Sequence, residues 1–286
     1  MQSGLVAALE DPNNPHTKGQ YSFHEAEYGS YLGEGDSSLG RYTDLRDWYV
    51  KFREDLDRPG DLVDMLNCDH QDRTYTDGGE NTIIMFKSCY PNSQVRPADT
   101  SIDLDDPAVR AAWLDPDQGG YYNDMWEEGV GGPINYIKAA YIGLLDIFRE
   151  HPDRLFIAVA VPALHYGDTN PEQAALAREL NDWLRTEWLQ GYADKNGRVN
   201  VAFFDWYREH AYSDDPDDAN YWRNFLGQPG HRQLTEDNHA QFLNTLRLDY
   251  ASPGGDSHPS DAANQRLNTV FVEQFINSVY EAWKGA

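Results

Sequence analysis

The segment Gly254-Gly255-Asp256-Ser257-His258-Pro259-Ser260 sets a carboxylate and an imidazole two positions apart in a glycine-rich loop. Those groups suit a general base held by an orienting acid. A patterned helix follows at once, with Ser260 placed to cap it. His258 thus stands just before a helix N-terminus, whose positive dipole end disfavours imidazolium and keeps the ring neutral, as a base requires. The same residues also suit a plain turn and helix entry.

A second group of candidates follows the short apolar run Ile83 to Phe86, in Lys87-Ser88-Cys89-Tyr90-Pro91-Asn92-Ser93. Asn92, with the backbone N–H groups near Ser88 and Cys89, can form an oxyanion hole, although Pro-Asn-Ser is equally a turn sequence. Ser88 or Cys89 at a strand end can be presented as a nucleophile. Lys87, Cys89 and His165 are expected as substrate contacts. His24 with Glu25 and Glu27, and His165 with Asp168, lack any specific metal spacing, so no metal site is expected.

These groups need a scaffold that gathers them. Leu155 to Val161 is an unbroken apolar run, the pattern of a strand buried on both faces. Ile83 to Phe86 and Val199 to Phe204 are the other strands. Helices are expected over Asn135 to Glu150 and over 171–190. The first buries Ile137, Ala140, Tyr141, Leu144, Leu145 and Phe148; the second Ala175, Leu176, Leu180, Trp183, Leu184 and Leu189. This alternation builds a parallel sheet, and ligands bind beyond the carboxyl ends of such strands. The loop holding His258 must return to that rim before the final helix, 260–283, packs its stripe of Leu267, Val270, Phe271, Phe275, Val279 and Trp283. Ser3 to Glu10 reads as helix, 43–67 as one or two helices, and the stretch after Ser93 to about Pro133 as polar loop. One α/β domain over 1–286 is expected, with 206–253 as an insertion over the sheet rim.

Composition narrows the partners. Net charge is −25, from 48 acids against 23 bases. Such a surface repels nucleic-acid phosphates and anionic lipid, so neither partner is expected. No apolar run approaches the ~20 residues that span a bilayer, and no signal-peptide pattern opens the chain. Two cysteines, Cys68 and Cys89, make no disulfide framework, and whether they pair stays open. The 18 Tyr and 8 Trp suit sugar stacking and ordinary cores alike.

The block Gly255-Asp256-Ser257-His258-Pro259-Ser260 resembles the C-terminal Asp-His block of the SGNH (GDSL-like) hydrolase superfamily. In that family the acid usually stands three residues before the histidine; here that position is Gly255 and the acid is Asp256. Ile83 to Ser93 and Tyr136 to Val161 are similar to a less-studied branch, with Asn92 as the oxyanion asparagine, though the Gly-x-Asn-Asp pattern is absent. The resemblance spans roughly residues 80 to 283 in organisation. It implies a flavodoxin-like three-layer α/β/α sandwich around a parallel sheet. It also implies a serine esterase without cofactor, acting on a small-molecule or carbohydrate ester, with His258 as base and Asp256 as its acid. The family's serine follows the first strand. Gly35-Asp36-Ser37-Ser38-Leu39 imitates that motif but follows no apolar strand, leaving Ser37 beside Ser88 as a candidate nucleophile. The expectation is that the first strand and its serine lie upstream of Met1, where an export signal would also lie. A degenerate glycan-binding relative and a carbohydrate lyase are the alternatives.

Overall fold

The computed structural model describes residues 2–21, 48–49, 52–53, 82–87, 93–115, 131–228, 231 and 234–285. Among them, three strands form one parallel sheet: β1 (Ile83–Phe86), β2 (Leu155–Val159) and β3 (Val201–Phe204), in the order β1-β2-β3. Ile84 sits opposite Phe156, and Phe156 opposite Val201. The chain is an α/β protein built on a small open parallel sheet. The helices are α1 (Gln2–Glu10), α2 (Pro107–Leu114), α3 (Ile134–Arg149), α4 (Pro171–Thr186), α5 (Trp206–His210), α6 (His239–Phe242), α7 (Asp261–Val270) and α8 (Ile276–Gly285).

Side chains alternate along a strand, so Phe86 and Phe156 share one face and Phe204 points to the other. On the first face Phe148 of α3 stacks on Phe156 at 3.9 Å, with Phe52 edge-on at 5.0 Å to Phe148. On the second face Phe204 meets Phe271 and Phe275 of the C-terminal helix at 5.1 and 4.9 Å. Stacking and edge contacts of this kind add to the burial of large aromatic surface. A separate apolar cluster of Tyr212, Trp222, Phe225, Leu234 and Phe242 lies within 206–253. It is tied to the end of the β2 segment where Leu246 N donates to Leu164 O at 2.7 Å.

Several boundaries differ from the sequence reading for identifiable reasons. The stretch expected as loop between Ser93 and Pro133 contains α2. Asp106 caps it by accepting from Ala108 N, and Pro107 occupies its first turn, the arrangement that starts helices. Leu114 can approach α3 because Gly143 faces it: a Cβ there would come within 2.7 Å of the Leu114 side chain. β2 stops at Val159, although Ala160 and Val161 remain buried. Ala160 N takes the last strand partner, Phe204 O, and the Asn181 side chain then serves Val161 N at 3.0 Å in place of a strand. α4 ends at Thr186 and turns its buried face toward Ala174, Ala177, Leu180, Asn181 and Leu184, leaving Ala175 exposed. β3 begins at Val201; Val199 is exposed.

The final helix shows the largest departure from simple periodicity. Its apolar positions 267, 271, 275, 279 and 283 repeat every four residues. At 3.6 residues per turn, such a stripe drifts about 40° per step around the helix. One wider π-helical turn, Phe271–Phe275, separates α7 from α8. Across it the buried positions step from Phe271 and Val272 to Ile276, and Trp283 returns to the core. Phe275 and Val279 are consequently only half-buried. The helices expected over 43–67 lie outside the described residues except for Trp48, Tyr49, Phe52 and Arg53, which are helical.

Candidate functional site

The loop bearing Asp256 and His258 is a tight reversal closed by an antiparallel bridge between Ala251 and Pro259. Ser252 N donates to His258 O at 3.0 Å, and Ser260 N to Tyr250 O at 2.7 Å. The turn needs a left-handed residue, which Gly255 supplies at φ 73°. Ser260 then caps α7 through its hydroxyl and Ala263 N.

Within this reversal Asp256 is held from three directions. Its Oδ1 accepts from the Ser252 hydroxyl at 2.6 Å and from His258 N at 2.9 Å. Its Oδ2 lies 3.3 Å from His258 Nδ1. The Ser252 hydroxyl and the His258 N–H hold the Asp256 carboxyl below the usual carboxylate range. Across that distance Asp256 Oδ2 can accept a ring hydrogen from Nδ1. The ring is 69% exposed, so a substrate can reach it.

Ser257, between the two, points the other way and is buried. Its hydroxyl donates to Asp168 Oδ2 at 2.6 Å and accepts from His165 N at 3.0 Å. Asp168 O in turn accepts from Gln94 Nε2 at 2.8 Å. This chain of contacts links the His258 loop, the segment after β2 and the segment that follows β1. All three lie beyond the carboxyl ends of the strands. His165 Nδ1 accepts from Gly167 N at 3.2 Å, which leaves its ring hydrogen on Nε2. The His165 ring packs on Tyr166 at 4.3 Å.

Lys87 continues β1 over the same rim, with its ammonium 5.8 Å from the centre of the Trp206 ring, just after β3. The structure therefore brings Asp256 and His258 together, and joins His165 to their loop through Ser257. It places Lys87 toward the β3 end of the rim. Ser37, Ser88, Cys89 and Asn92 lie outside the described residues, as do His24, Glu25 and Glu27. Among the described residues no three His, Cys, Asp or Glu side chains gather as a metal-binding group. Nor, among these residues, is any helix long and apolar enough to cross a membrane.

Sequence reasoning weighed Asp168 only beside His165 as a metal grouping and gave Ser257 no role. No periodic signal marked them, because residues 256–258 form a bend rather than a strand or helix. Chemically, an exposed imidazole beside a carboxylate can take a proton from a hydroxyl and return it to a leaving group. Compared with family models, with curated proteins and with solved structures, the chain matches none.

Proposed function

We propose that this chain is an SGNH-type serine hydrolase that removes acyl groups from a carbohydrate ester, on a three-layer α/β/α sandwich. The observation that carries the reading is the Asp256–His258 pair, 3.3 Å apart on an accessible turn beyond the strand ends. A serine attacks the ester carbonyl while His258 Nε2 takes its proton. Asp256 steadies the imidazolium that forms. Asn92 donates to the oxyanion. Collapse of the tetrahedral intermediate expels the alcohol, which receives the proton from His258. Water then enters by the same route and releases the acid. Ser88, two positions beyond β1, and Ser37 are the candidate nucleophiles. Ser257 is not one, because its hydroxyl is buried and committed to Asp168.

Labelling with a fluorophosphonate, followed by peptide mapping, identifies the attacking serine. Turnover of p-nitrophenyl acetate measures the reaction. His258→Ala should lower turnover by about a hundred- to ten-thousand-fold while leaving the melting temperature unchanged, because the side chain is largely exposed. Absence of labelling and turnover in the wild-type chain would overturn the proposal.

A further inference from the structure

A cavity of about 710 Å³ opens at the carboxyl end of β3, beside the His258 loop. That volume falls within the range of small-molecule sites. Four arginines, Arg185, Arg208, Arg247 and Arg266, line it. They are interleaved with Asp205, Glu209, Asp217 and Asp218, so the formal charges of the lining cancel. On a chain of net charge −25, four arginines facing one hollow are a marked local exception.

Arg247 forms the fixed wall. It pairs with both oxygens of Asp249, bonds Asn220, and is held between Phe225 and Tyr250 at 4.5 and 4.2 Å. The other three guanidinium groups are only partly engaged. Arg266 uses Nε and Nη2 on one oxygen of Glu209. Arg185 bonds Asp182 through Nη2, and its Nε stands 3.6 Å from Asp205. Arg208 reaches only to 3.7 Å from Asp218. The last two separations are beyond hydrogen-bond range. Correspondingly, Oδ2 of Asp205 and Oδ2 of Asp218 accept no hydrogen bond. Partly engaged guanidinium groups and carboxylates therefore line one hollow, with Tyr250 as an apolar flank, while the two unbonded oxygens are themselves buried.

We infer that this cavity binds an uncharged, hydroxyl-rich ligand, a sugar. A multiply charged anion would meet four carboxylates, and a polycation four guanidinium groups. A hydroxyl, by contrast, donates to a carboxylate and accepts from a guanidinium at once. The inference stands apart from the hydrolase reading because it requires no nucleophile. If both hold, the cavity seats the sugar portion of the ester. Tyr250 leads by the Ala251–Pro259 bridge directly into the His258 loop.

Saturation-transfer NMR on the full chain tests it, with cellobiose, maltose, lactose and xylobiose as neutral probes and inorganic phosphate as the charged competitor. At least one disaccharide should bind. Arg208→Met and Arg266→Met, both at half-exposed positions, should each weaken that binding by about tenfold or more. Arg223→Met, outside the cavity, should leave it unchanged. Melting curves establish that each variant is folded, and either cavity variant alone suffices. Silence of all four sugars at millimolar concentration, equal affinity in the folded cavity variants, or tighter binding of phosphate than of any sugar would overturn the inference. Sugar binding without ester turnover would leave it standing and remove the hydrolase; turnover without sugar binding would do the reverse.

Discussion

Asp205 caps α5 at a cost that can be measured. Its Oδ1 accepts from Arg208 N at 3.2 Å, while Oδ2 is buried with no hydrogen bond. The nearest cation is Arg185 Nε, at 3.6 Å. Burial pushes this carboxyl up from its ordinary 3.8 to about 6; the Arg208 N–H and the charges of Arg185 and Arg208 oppose that rise without cancelling it. A rise of that size means the ionised form costs about 3 kcal/mol in the folded chain. The side chain keeps 17% of its exposure, so solvent screening brings the expected figure to about 1–3 kcal/mol.

The sign follows from proton counting. Between 3.8 and about 6 the folded chain holds a proton that the unfolded chain has released. Stability from this group is therefore present below 3.8 and lost as pH rises through about 6. Asparagine caps a helix as well as aspartate does and carries no charge. Asp205→Asn should be more stable than wild type by about 1–3 kcal/mol near pH 8, with the gain shrinking toward zero near pH 4. Urea denaturation of both chains at the two pH values reads this directly. A variant less stable than wild type near pH 8 would mean that attraction to Arg185 and Arg208 outweighs desolvation, and the reasoning would be refuted.

Ser257→Ala removes the hydroxyl that joins His165 N to Asp168 Oδ2; unfolding in urea should show a loss of about 1–3 kcal/mol, and an unchanged midpoint would show that the link does not hold the loop to the rim. His210 is fully buried, with Nε2 3.3 Å from Ala263 O, and burial lowers its pKa from 6.5 to about 4. As pH falls through that window the unfolded chain takes up the proton first, so about 3 kcal/mol of stability is lost on acidification. His210→Phe should lack that loss, and a stability difference between variant and wild type that stays constant from neutral to acid pH would contradict it.

Much of the scaffold was legible because periodicity reports which face of an element is buried. The run Leu155 to Val161 marked the central strand, and all five residues of β2 are buried. Spacing along α3 named six of its buried side chains. Asp256 and His258 were legible as a pair because they are two residues apart in one turn, where chain geometry alone limits their separation. The Asp106-Pro107 helix start was also written in the sequence, although only Trp113 and Leu114 of that helix are buried.

Other features needed the folded chain. A stripe repeating every four residues states that a helix is amphipathic, yet the π turn at Phe271–Phe275 appears only once that helix is fitted against Phe204. Gln94, Asp168 and Ser257 are separated by 74 and 89 residues along the chain, and Arg185 and Arg266 share a cavity from opposite sides of the 206–253 segment. Local pattern fixes whether a residue faces in or out. Which distant residues then meet depends on strand register and on how each connection returns to the sheet, and those are set by packing of the whole chain rather than by any short stretch of it.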